Sequence, residues 1–146
     1  MTTSVSVKKL RPNAQLPTYG SAYAAGADLY ACLDAPIVIQ PHTTQFIPTG
    51  LAMELPVGWA GMVFARSGMA SKRDLAPANK VGVIDSDYRG EVRVVLLNHS
   101  SRNQTVSPGE RVAQLLITPV LAPAFVLAEE LEQTRRGSGG FGSTGA

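Results

Sequence analysis

The sequence predicts an all-β sandwich or barrel with one short helix and a flexible, glycine-rich C-terminal arm. Three observations carry this. Short runs rich in β-branched residues recur near the spacing of about 8 to 12 residues usual in sandwiches and barrels. Turn clusters separate these runs, and only one stretch carries the start signals of a helix. At 146 residues and 15.4 kDa the chain is one domain, long enough to bury a core.

In order, Ser4 to Lys8 alternates Val5 and Val7 with polar residues as a first strand, and Pro12 and Pro17 bracket an irregular connection. In Ala24 to Ala31 small residues let the backbone come close to a neighbour. Asp28 enters this otherwise apolar strand as a lone carboxylate, which needs a partner unless it only caps a turn. Cys32, without a second Cys or nearby His, reads as core packing. Ile37 to Ile39, Gln45 to Pro48 and Leu51 to Leu55 are strands between turn clusters, and Trp59 and Phe64 are core or interface aromatics.

Arg66 to Arg73 is the helix, with Ser67 as its N-cap. Arg66 ahead of a helix start suits a phosphate, since its planar fork matches phosphate oxygens; a solvated basic turn is the alternative. Asn79 to Glu91 reads as a hairpin, with Val81 to Ile84 as one strand, Asp85 to Gly90 as the turn and Glu91 to Asn98 as the return strand. Asp85 and Asp87 are either turn formers or carboxylates aimed from a rigid base. Gln104 to Val106 and Val112 to Thr118 are two more strands around the turn Ser107 to Glu110. Gln114, polar among apolar neighbours, must find hydrogen bonds in the protein or from a ligand. Residues 1–134 thus form the domain and Arg135 to Ala146 the arm. Such a tail is usually a disordered end; alternatively its glycine N–H groups, hydroxyls and arginine can wrap a polyphosphate, and Phe141 can stack on a base.

A net charge of +2 does not argue for nucleic acid or membrane as the main partner. A charged share of 16%, against the usual quarter or so, points to subunit contacts. No basic-then-apolar leader opens the chain, so an intracellular protein is expected.

Five ordered stretches then carry a resemblance: Ala25 to Leu29, Ala65 to Ala70, Gly82 to Gly90, Gly109 to Leu115 and Arg136 to Gly145. Over nearly its whole length the chain resembles the homotrimeric dUTPase family (deoxyuridine 5'-triphosphate nucleotidohydrolase). The resemblance implies a jelly-roll homotrimer with active sites shared between subunits, each closed by a neighbour's arm. It implies hydrolysis of dUTP to dUMP and pyrophosphate, which limits uracil in DNA and supplies dUMP for thymidylate synthesis. Asp85 would orient and deprotonate the water attacking the α-phosphorus. Asn79 and the backbone of Gly82, Val83 and Ile84 would read uracil, and Tyr88 would pack on the deoxyribose. Arg66, Ser67, Gly68 and Gln114 would contact the phosphates. On the arm, Arg136, Ser143 and Thr144 would grip the β and γ phosphates beside Gly140 and Gly142, with Phe141 stacking over uracil. Asp28 would hold Mg2+ through water. A cytoplasmic setting, or a nuclear one in a eukaryote, is implied, with no direct nucleic-acid or membrane contact. The related dCTP deaminases lack the Asp85 to Tyr88 loop and the arm. A non-catalytic jelly roll, such as a lectin or capsid-like module, would explain the strands but not the register of Asp28, Arg66, Asp85, Gln114 and Arg136.

Overall fold

The computed structural model describes residues 4–140. Among these there are twelve strands and one helix. The strands are β1 (Ser6–Lys9), β2 (Thr18–Tyr19), β3 (Ala27–Tyr30), β4 (Ile37–Ile39), β5 (Thr44–Pro48), β6 (Leu51–Glu54), β7 (Trp59–Phe64), β8 (Leu75–Pro77), β9 (Gly82–Ile84), β10 (Arg93–Asn98), β11 (Gln104–Val106) and β12 (Arg111–Pro119). The helix α1 (Ser67–Arg73) lies between β7 and β8. All pairings are antiparallel, as expected for a jelly-roll sandwich.

The largest sheet runs β2-β3-β12-β7-β9, and a second runs β5-β10-β8. Side chains alternate across a strand, so one face of each sheet fills the core. On β12, Leu115 faces inward beside Ala27 of β3 and Val63 of β7, all buried. Gln114, one residue earlier, lies opposite Asp28 and Phe64 and therefore shares their outer face. Leu29, Ile39, Ile47, Leu51, Leu75 and Leu96 complete a core formed by residues distant in sequence.

The expected hairpin at Asn79 to Glu91 does not form. β9 pairs with β7, whereas β10 pairs with β5 and β8 in the other sheet. The segment from Asp85 to Val92 is an arch between sheets, because Ile84 and Val94 reach the common core from opposite layers. The strands flanking Ser107 to Glu110 likewise part company, β11 to β4 and β12 to β3 and β7. Ser67 is not the N-cap either; Arg66 occupies that position in extended conformation, and no side chain caps the helix.

Cys32 is buried, and its thiol donates to Asn13 Oδ1 at 3.2 Å. A Cβ on Gly50, whose φ is +68°, would lie 2.8 Å from its sulfur, so only glycine fits that turn. Burial pushes the thiol pKa up, with Arg11 pulling the other way. Less thiolate and no access mean low reactivity. An aromatic disulfide reagent at neutral pH should label native protein far more slowly than denatured protein; equal rates would show that this turn opens.

Candidate active site

Asp85, Tyr88, Asn79, Gly82, Val83 and Ile84 line one cavity of about 230 Å3, floored by β10 and bounded by Phe46. It lies where the two main sheets splay apart at the arch. β9 is an edge strand, paired on one side only, so its other side offers backbone N–H and C=O groups to a ligand. Gly82 keeps this wall thin: a Cβ there would come within 3.3 Å of both Asn79 Nδ2 and Val63 Cβ. The turn that delivers Asn79 is tight, with Lys80 N–H donating to the Pro77 carbonyl at 3.0 Å and Lys80 at φ +66°.

The arch is tied to itself. Tyr88 N–H donates to the Asp85 carbonyl at 3.2 Å, and the Tyr88 hydroxyl donates to the Glu91 carbonyl at 3.1 Å. Arg89 donates to the Ser86 carbonyl at 2.7 Å and reaches Glu54 at 3.4 Å. Any Cβ on Gly90 would overlap the Tyr88 ring, so glycine there lets the ring lie flat on the chain. Asp85 itself is exposed, and its carboxylate has no hydrogen bond among the described residues. Its lone pairs are therefore free for a water or ligand.

A second cluster occupies the outer face of the large sheet. Asp28 Oδ1 accepts from Arg66 Nε at 2.7 Å and Oδ2 accepts from Arg111 Nη1 at 3.3 Å, with Asp28 87% removed from solvent. The partner that this lone carboxylate required is thus two arginines. Gln114 Nε2 donates to the Ala65 carbonyl at 2.8 Å, fixing the residue before Arg66. Gly26 makes room for it, since a Cβ there would sit 2.6 Å from Gln114 Oε1. Arg111 was not singled out from the sequence: strand alternation puts a residue three before Gln114 on the opposite face, and the irregularity between Arg111 and Ala113 brings it round to Asp28.

None of Asp28, Arg66, Ser67, Gly68 or Gln114 lines the cavity holding Asp85 and Tyr88. Arg136 and Gly140 join neither cluster; Arg136 Nε donates to the Gly139 carbonyl at 2.8 Å within a local turn. Phe141, Gly142, Ser143 and Thr144 lie outside the described residues.

Among the described residues no three His, Cys, Asp or Glu side chains gather as a metal cage. Asp28, with both oxygens engaged by guanidinium groups, does not fit a direct ligand. It fits Mg2+ only in the way that ion commonly binds, keeping its waters and carried by substrate phosphates. Among the described residues no helix is long and apolar enough to cross a membrane.

A dUTPase family profile matches residues 12–145. A deoxyuridine 5'-triphosphate nucleotidohydrolase of Desulfitobacterium hafniense is 54% identical over 132 residues, 90% of this chain and 87% of that one. One from Syntrophotalea carbinolica is 46% identical over 144 residues, 99% and 98% of the two chains. Among solved structures, a point mutant of the Staphylococcus bacteriophage 80alpha dUTPase with dUpNHpp superposes with a TM-score of 0.90 at 28% identity, covering 99% of this chain and 100% of that one.

Proposed function

The chain belongs to the dUTPase family and is a dUTP diphosphatase that yields dUMP, and we propose that Asp85 activates the water that attacks the α-phosphorus. The water oxygen bonds to that phosphorus, and its proton passes to the Asp85 carboxylate. The bond to the α,β-bridging oxygen breaks, and pyrophosphate leaves with the electron pair. One observation carries the assignment: a carboxylate without an internal partner stands at the end of an open strand edge, in the same cavity as Tyr88. A general base needs hydrogen-bond reach to its water, and rigid β9 supplies the aim.

Uracil presents an acceptor at O4 beside a donor at N3, which a C=O and an N–H from β9 complement. Cytosine presents the opposite pattern, a donor at N4 beside an acceptor at N3, and would leave both pairs repelling. Gly82, Val83 and Ile84 supply this edge and Asn79 braces it. Tyr88 packs on the deoxyribose and leaves no room for a 2'-hydroxyl. Arg66, Ser67, Gly68 and Gln114 take phosphate oxygens. The arm, residues 135–146, closes the site through Arg136, Gly140, Phe141, Gly142, Ser143 and Thr144. Asp28, through water, together with the substrate phosphates would hold Mg2+, which would supply charge neutralisation on the triphosphate.

The protein acts as a homotrimer with shared sites. Two observations support this. The base-and-sugar cavity and the Arg66 cluster are separate on one chain, so a second subunit's cluster can complete the first subunit's cavity. After β12, Leu121, Phe125, Val126, Leu127 and Leu131 are almost fully exposed on a stretch without regular structure, apolar surface that an assembly would cover. The protein works in the cytoplasm, where removal of dUTP keeps uracil out of DNA and provides dUMP for thymidylate synthesis.

Pyrophosphate release with Mg2+, compared for dUTP, dTTP, dCTP and UTP, tests the reading. Release from dUTP alone is expected. Ammonia from dCTP would indicate a deaminase, and comparable turnover of UTP would refute the role given to Tyr88.

A further inference from the structure

We propose that Arg73 is a positioning residue for the triphosphate, holding α1, and with it Arg66 and Ser67, in register with β12. The proposal rests on the phosphate reading of Arg66, Ser67 and Gln114 above. Arg73 is the last residue of α1. Its guanidinium donates to Glu110 Oε1 and to the Thr105 carbonyl, and reaches Gln104 Oε1 at 3.4 Å and the Met69 sulfur at 3.5 Å. The other Glu110 oxygen accepts the Ser107 N–H at 2.9 Å, and the Glu110 carbonyl accepts the Ala31 N–H at 2.8 Å. The Glu110 carboxylate therefore joins the helix to the β11–β12 turn, and its backbone carbonyl ties that turn to the residue after β3.

The chain leaves Glu110 directly into Arg111, which pairs with Asp28, and three residues later reaches Gln114, which holds the Ala65 carbonyl. Asp28 in turn holds Arg66. Thus α1 is clamped at its front by Asp28 and Gln114 and at its rear by Arg73, and both clamps are fixed to β12 or its turn. The helix needs such anchors. It has seven residues, no side-chain cap and no acidic residue in its first turn, and a helix that short has little stability of its own. The rear clamp is about one-quarter exposed on both partners, so salt screens it only in part. Arg73 reaches acceptors on a side chain and a backbone with one planar fork, which a lysine ammonium cannot match.

The test compares wild type with Arg73→Lys, Arg73→Ala and Glu110→Gln. Each is measured for kcat and KM on dUTP and for binding of dUpNHpp and of deoxyuridine, which has no phosphate. In Arg73→Ala, kcat/KM and dUpNHpp affinity should fall about ten- to a hundred-fold, as expected when reacting groups are misplaced or a charged hydrogen bond is lost. Deoxyuridine binding should stay within about two-fold, since its cavity does not include α1. Arg73→Lys should recover only part of the loss, and Glu110→Gln should show the same split between the two ligands. Equal losses for dUpNHpp and deoxyuridine would mean a purely structural role, and unchanged kcat/KM would mean no role; either overturns the proposal. Failure of the wild-type protein on dUTP would overturn both readings, whereas loss of the split in an active protein overturns this one alone.

Discussion

Asp85→Asn should reduce turnover of dUTP by roughly 10²- to 10⁴-fold, the usual contribution of a positioned general base, while dUpNHpp still binds within a few-fold. Asparagine has the same shape and still accepts a hydrogen bond, but it cannot take a proton. The surrounding arch does not depend on the carboxylate: the Asp85 carbonyl, not its side chain, accepts the Tyr88 N–H, and Ile84 is anchored in the core. The change therefore isolates the chemistry from the fold. Single-turnover release of pyrophosphate, with ligand binding measured by calorimetry, separates the two. Turnover near that of wild type would remove Asp85 from the mechanism. Loss of dUpNHpp binding in parallel with rate would make it a binding group.

Asp28→Ala should lower both stability and kcat/KM, because it leaves Arg66 and Arg111 facing each other without the carboxylate between them. Removing one partner of a buried ion pair costs about 3 to 5 kcal/mol; partial exposure of both arginines brings the expected loss nearer 2 kcal/mol. The catalytic loss follows from Arg66 swinging free of the phosphate position, about ten- to a hundred-fold in kcat/KM. A double-mutant cycle assigns the route. If Asp28 acts through Arg66, adding Asp28→Ala to Arg66→Ala should cost kcat/KM little more. Additive losses would show that Asp28 touches the substrate's metal or phosphates independently. Chemical denaturation alongside the kinetics measures the stability share.

The need of two residues for partners was legible because each broke a local rule. Asp28 and Gln114 were polar in apolar strands, and burial demanded partners for both. The structure supplies Arg66 and Arg111 for one and the Ala65 carbonyl for the other. Strands such as Ile37–Ile39 and Gln104–Val106 followed from β-branched runs between turns. The hairpin expectation at Asp85 failed for a definite reason. Two strands joined by a polar loop look alike in sequence whether they pair with each other or with different sheets; periodicity reports which face is buried, not which neighbour is bonded. The Ser67 cap failed similarly. A serine before helix formers suits an N-cap, but Arg66 takes the extended conformation that defines that position, and Asp28 and Gln114 hold its guanidinium and the Ala65 carbonyl just before it.

By itself the sequence determined the all-β class, the single helix, the buried thiol and, through five ordered motifs, the family and its reaction. The class, the helix and the thiol depend on alternation, turn chemistry and residue type, which are local properties of the chain, and the family rests on the resemblance that the motifs carry. Only the tertiary structure decided that Asp85 sits on an arch between sheets, that β9 keeps an open edge beside it, and that Arg111 shares Asp28 with Arg66. It alone brought Arg73 to Glu110 and Thr105, more than thirty residues away. Strand partners and ion pairs of that range are chosen by the packing of one core against all others, and no window of the sequence contains that information.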